Sequence, residues 1–121
     1  MELRGLVMAQ EALGRLLALE LPAAVSYKIA RAARPIQAEL RNYEQERVKL
    51  VQRLGEDAGQ GQIMVGSEKA AEFNEEMNTL LDVEVNPEIK AVDPSIFDET
   101  DTKIKPGDIM ALWFLFEQKE E

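Results

Sequence analysis

Apolar residues recur at helical spacing as far as Leu54 and in shorter, differently spaced runs beyond it, so the chain divides into a helical half and a mixed half. Leu3, Leu6, Val7, Leu13, Leu17 and Leu21 lie near one face, with Leu16 and Leu19 widening it, and predict a short first helix. Pro22 suits the first turn of a new helix, where its missing N–H has no partner to lose. A break is therefore expected near Glu20–Leu21, and a longer helix from about Pro22 to Leu54, stopped by Gly55. Its stripe is Ile29, Ala33, Ile36, Leu40, Tyr43, Leu50 and Leu54, interrupted where Arg47 takes an apolar position. Pro35 removes one backbone hydrogen bond from the interior of this helix and predicts a kink. The two helices should form an antiparallel hairpin.

Past Gly55 the period changes. Residues 55–61 hold three glycines and no large apolar group, the composition of a mobile loop. Ile63–Val65 between Gly61 and Gly66 predicts a small strand, and Ser67 then offers a cap for a helix to about Leu81 with Phe73, Met77, Leu80 and Leu81 inward. Val83, Val85, Pro87, Ile89 and Ala91 alternate with polar residues, which predicts a half-wet strand, placed at an edge by Pro87 and paired with Ile63–Val65. The helix between them is expected to cover one side of the pair. Pro94 and Asp98–Asp101 read as a loop, and Pro106 opens a last helix to about Gln118. That helix carries Ile109, Met110, Leu112, Trp113, Phe114, Leu115 and Phe116, apolar on nearly every side, and must be enclosed by protein. Its own core is the first candidate for that enclosure, with a second copy or another protein covering the remainder. The fold class that results is α+β, mainly helical: a helical hairpin with a long kinked second helix, a small antiparallel two-stranded sheet and two short helices in the C-terminal half.

Composition narrows the function classes. The 121 residues include neither histidine nor cysteine. The side chains that most often serve as general base, thiol nucleophile or zinc ligand near neutral pH are thus missing, which argues against an enzyme and against a cofactor. The length fits a single domain over residues 1–121, with no disulfide framework and an expected cytoplasmic setting. Glu2, Arg4, Glu11, Arg15 and Glu20 interrupt the leucine-rich start too often for a signal peptide, and no stretch reaches the roughly 20 apolar residues of a membrane span.

Charge is segregated along the chain. Residues 1–55 carry nine basic against six acidic side chains and residues 56–121 five against seventeen, giving a basic half, an acidic half and a net charge of −9. Segregation of this kind lets the halves, or neighbouring copies, attract each other, so head-to-tail association is physically reasonable. Lys28, Arg31, Arg34 and Arg41 recur along the second helix over about 20 Å, with Tyr27 beside them as a stacking group. They are candidates for a phosphate backbone or an acidic partner, although the net acidity makes nucleic acid the weaker choice and a solvated face the plain alternative. The regularly charged acidic half could instead imitate DNA and occupy a nucleic-acid-binding protein.

Other motifs fail on chemistry. Gly61–Ser67 has the glycine spacing of a phosphate loop, but Ser67 stands where the lysine is required and Glu68 follows it. Asp93, Asp98, Glu99 and Asp101 lack the alternation, central glycine and closing glutamate of a helix-loop-helix calcium site. Glu72, Glu75 and Glu76 have no apparent apolar pocket to separate two proton affinities and read as a solvated helix face.

The run Phe73-Asn-Glu-Glu-Met-Asn-Thr-Leu-Leu-Asp-Val-Glu-Val, the alternating segment through Ile89 and Ile104-Lys-Pro-Gly-Asp-Ile-Met-Ala-Leu together resemble a family of small phage and prophage proteins of unknown function. Leu21-Pro22-Ala-Ala-Val-Ser-Tyr before the long helix and Tyr43-Glu-Gln-Glu-Arg near its end extend the resemblance over nearly the whole chain. It implies a phage-encoded protein made in the bacterial host cytoplasm, in part destined for the virion, and carries no activity with it. The expected function is non-enzymatic protein–protein contact in virion structure or assembly, with inhibition of a host nucleic-acid enzyme or defence protein as the alternative. The contact residues expected are Ile109, Trp113, Phe114 and Phe116, on a partner that is either a second copy or another protein, without a membrane role.

Overall fold

The computed structural model describes residues 1–98, 100, 102 and 104–117. It is α+β and mainly helical. Helices α1 (Leu3–Met8) and α2 (Gln10–Leu17) lead into the long α3 (Ala23–Leu54), and a hairpin of β1 (Glu56–Gly59) and β2 (Gln62–Met64) follows. Helix α4 (Ala70–Leu81), a 3-10 turn at Pro94–Phe97, α5 (Pro106–Ala111) and a second 3-10 turn at Trp113–Leu115 complete the order.

The expected first helix is two helices. Leu3, Leu6, Ala9 and Ala12 are buried at intervals of three residues, a spacing that drifts around a helix of 3.6 residues per turn. The turn at Ala9, with φ −85° and ψ −3°, resets the phase so that Leu13 and Leu16 also face α3. Helix α2 then ends at Leu17, ahead of the expected break at Glu20–Leu21.

Helix α3 begins one residue after Pro22 and ends at Leu54, and all seven residues of the expected stripe are buried, joined by Ala32. The helix is kinked and runs through Pro35. At the Arg47 gap the guanidinium stays near the surface and donates to Glu44 one turn earlier. Gly55 ends the helix in an extended conformation, and a Cβ there would collide with the Val51 carbonyl oxygen and with Cγ2 of Ile63, so the hairpin folds back onto the helix end at a point where only glycine fits.

The two-stranded sheet has a different partner from the one expected. The glycine-rich segment is no loop: Glu56 pairs with Met64, Asp57 with Ile63 and Gly59 with Gln62, so β1 and β2 close on each other. Gly59, Gln60 and Gly61 all take positive φ, and Asp57 Oδ1 accepts from the Gly59 N–H at 2.8 Å, which supplies the tight turn that local pairing needs. Val83–Ala91 forms no ladder with it. Val85, Pro87 and Ile89 are half-buried and alternate with exposed Glu84, Asn86, Glu88 and Lys90, so the period of two belongs to an extended segment laid along the core. Its backbone bonds go elsewhere: the Leu3 N–H donates to the Val83 carbonyl and the Val85 N–H to the Met1 carbonyl.

Helix α4 starts three residues after Ser67, with Lys69 at its N-cap and no side-chain cap. Met77, Leu80 and Leu81 pack half-buried against the core, and Phe73 is half-buried as well. The last helix is shorter than expected. Helix α5 stops at Ala111, and the 3-10 turn that follows brings Leu112 and Leu115, three residues apart and eclipsed in that geometry, inward together. Phe116 is then extended and bridges to Val92, whose N–H donates to the Leu115 carbonyl at 2.8 Å. The expected end at Gln118 lies outside the described residues.

Candidate functional site

The change from helix to 3-10 turn after Ala111 divides the aromatic end into a buried and an outward set. Leu112, Leu115 and Phe116 are 1%, 1% and 5% exposed and belong to the core, where Phe116 meets Phe97 edge to face with centroids 6.0 Å apart. Phe116 is therefore a core residue and not a docking anchor. Phe114 is half-buried, Ile109 is 36% exposed and Trp113 56% exposed. Trp113 packs edge to face on Phe114 with centroids 5.8 Å apart. Met110, one turn before Trp113, is 76% exposed. Met110 was not among the contact residues expected from the sequence, where a uniformly apolar run gives no sign of which members face out. The outward apolar residues are thus Ile109, Met110 and Trp113 with Phe114 beside them, a candidate contact surface.

A second surface lies on α3. Lys28, Arg31, Arg34 and Arg41 are all exposed, and Lys28 and Arg31 line an open groove with residues 91–96 of the acidic half. The Arg31 guanidinium sits over the Tyr27 ring, 5.8 Å from its centroid, so the stacking group noted in the sequence is in place. These four cations make no ion pair among the described residues.

The cations that join the two halves are others. Arg4 pairs with Asp82 at 3.0 Å, Arg15 with Asp108 at 2.7 Å, and Arg53 with Glu76. Each joins a basic-half side chain to an acidic-half carboxylate, so part of the charge segregation is spent within one molecule. The Arg15–Asp108 pair uses two guanidinium nitrogens and couples α2 to α5. Its hydrogen bonds hold the Asp108 carboxyl below the ordinary carboxylate range and raise the Arg15 guanidinium above its usual value. The hydrogen bond from Arg47 lowers Glu44 in the same way.

No family model, curated protein or solved structure matches this chain. The function must therefore be argued from these surfaces.

The remaining sequence candidates fall into place around them. Glu72 and Glu75 are exposed on the outer side of α4, and with Glu76, Thr79, Leu80 and Val83 they line an open groove of about 600 Å³. Leu80 and Val83 give this groove apolar lining beside the glutamates. Among the described residues no group of three or more carboxylates is arranged to hold a metal ion, and Glu99 and Asp101 of the acidic loop lie outside those residues. Gly61–Ser67 contains the whole of β2 and the start of the turn after it. Among the described residues no helix is long and apolar enough to cross a membrane.

Proposed function

We propose that the chain is a non-enzymatic phage accessory protein that works by protein–protein contact in virion structure or assembly, docking through its C-terminal apolar patch. The observation that carries the docking surface is the exposure of Met110 and Trp113 beside the fully buried Leu112 and Leu115. A local change of helix type sorts neighbouring apolar residues into core and surface, and the outward members stay outward because the inward ones are fixed. An indole braced by a neighbouring ring loses little freedom on binding, which suits it to anchor a contact. The phage setting rests on the sequence resemblance alone.

A photo-crosslinking residue in place of Met110 tests the surface in cells that make the protein. The expected result is a discrete crosslinked species, lost on Trp113→Ala and nearly unchanged between about 0.1 M and about 1 M salt, since apolar docking is little screened. Crosslinking no stronger than at exposed Gln52 on α3, or crosslinking that survives Trp113→Ala, would overturn the reading.

A further inference from the structure

We infer that the outward basic face of α3 is a docking site for the acidic α4 groove of a second copy of this chain, so that copies associate head to tail. Three observations lead there. Lys28, Arg31 and Arg34 occupy successive turns of the exposed side of α3, Arg41 continues the row, and none of them pairs with a carboxylate among the described residues. The row covers about 20 Å of helix, while Glu72 and Glu75 lie within one turn of α4, so the acidic face engages one part of the row, with Arg31 and Arg34 at its middle. The groove along α4 matches in chemistry. Glu72 and Glu75 make no ion pair among the described residues, and Leu80 and the exposed Val83 line the same groove. An arginine has an aliphatic stem and a charged end, and this groove offers apolar lining to the one and carboxylates to the other.

The contact is not made within one molecule. Helix α4 packs on α3 and the core through Met77, Leu80 and Leu81, Lys28 and Arg31 border residues 91–96, and none of the four cations pairs with Glu72 or Glu75. The free charges of the two helices are thus left for another molecule to meet. Two different faces in one contact make it heterologous, which extends into chains unless the rotation happens to close a ring.

A second copy fits this face better than a nucleic acid does. The whole molecule carries −9, which repels a polyanion approaching from any distance, whereas the apolar lining of the acidic groove has no counterpart on a phosphate backbone. The same net charge repels a second copy at long range, but at about 0.1 M salt the screening length is about 10 Å and contacts of a few ångströms survive it. At about 1 M the screening length falls to about 3 Å and the contacts themselves weaken. Association should therefore be strongest near 0.1 M and lost near 1 M.

The experiment is light scattering over a concentration series of the full chain and two charge-reversed variants, Arg31→Glu/Arg34→Glu and Glu72→Lys/Glu75→Lys, all at exposed positions and checked for folding by circular dichroism. At about 0.1 M salt the wild type should rise above 13.6 kDa with concentration without stopping at the dimer. Each variant alone should stay at 13.6 kDa. Mixed in equal amounts they should associate above that mass, because the basic row of one meets the acidic groove of the other and the two reversed faces are themselves of opposite charge. Trp113→Ala should associate as the wild type does. A wild type monomeric throughout, folded variants that still associate, a mixture that stays monomeric, or association lost on Trp113→Ala would each overturn the inference. So would a short DNA duplex that binds the wild type and the Glu72→Lys/Glu75→Lys variant alike while the wild type remains monomeric.

Discussion

Two short apolar runs in the acidic half meet opposite fates. Ile63-Met64 in β2 and Leu112–Phe116 after α5 are similarly hydrophobic, yet Ile63 and Met64 are exposed while Leu112, Leu115 and Phe116 are core. The difference lies in where the backbone finds its partners. The hairpin satisfies its own hydrogen bonds across a tight turn and meets the body at Gly55 and the end of α3. The C-terminal run has no strand of its own to pair with, so its amides and carbonyls reach Val92, and that bridge draws the side chains inward. Hydrophobicity alone does not decide burial; local pairing can hold an apolar strand out in water.

The sharpest way to break this comparison is to remove one side chain from each run. Leu115→Ala deletes a fully enclosed side chain and is expected to destabilise by about 2–5 kcal/mol, a large part of the ~5–15 kcal/mol that holds a typical domain folded. Urea denaturation reads it directly. Ile63→Ala in the same assay should stay within about 0.5 kcal/mol of the wild type. Equal losses would mean that the hairpin is as integral to folding as the C-terminal run.

A smaller and more local effect is expected from Gly55→Ala. The new methyl meets the Val51 carbonyl oxygen and Ile63 Cγ2, and the first of these is backbone and cannot swing aside. Overpacking of this kind costs about 1–3 kcal/mol, and here it acts at the joint between hairpin and helix. The hairpin amides at Asp57, Gly59 and Gln62 should then exchange with solvent roughly tenfold faster or more, while those of α3 around Ile36 keep their protection. Loss of protection around Ile36 as well would show that the hairpin is coupled to the core.

How far the sequence foretold this arrangement depends on the length over which each pattern is sustained. Helix α3 could be read to within a residue at its N-terminus because seven buried positions repeat one period and Pro22 and Gly55 mark its ends. The Val83–Ala91 segment was misread because alternation records which side faces water, and an extended chain lying on a core alternates as a strand does. What separates the two is the partner of each backbone N–H, which composition does not carry. The aromatic end failed for a related reason: a uniformly apolar run has no period, so nothing in it showed that the helix would tighten at Leu112 and push Trp113 out while Phe116 turned in. Charge behaved differently again. The division into basic and acidic halves was plain from the sequence, but which arginines cross between them depends on tertiary placement, and Arg4, Arg15 and Arg53 could not be told from Arg31 and Arg34 in advance.

The smallest effect expected concerns what fastens the buried C-terminal run to the helices. Asp108, in the first turn of α5, is held by Arg15 of α2, so this pair anchors the element that leads into Leu112 and Leu115. Its carboxyl is depressed in the folded state relative to an unfolded aspartate at about 3.9, chiefly by the guanidinium hydrogen bonds. The folded state therefore binds fewer protons than the unfolded state as pH falls through this region. The stabilisation is fully present well above pH 4 and disappears as pH drops through the folded-state value. Because the pair lies at the surface, Asp108→Asn should lower the melting temperature at pH 7 by a few degrees at most. The gap between wild type and variant should narrow as pH falls below the unfolded aspartate value and the wild-type carboxyl takes up its proton. A gap of constant size from pH 7 to pH 3 would mean that Asp108 acts through packing or helix-terminal geometry, and that the C-terminal run is held by its apolar contacts and the Val92 bridge alone.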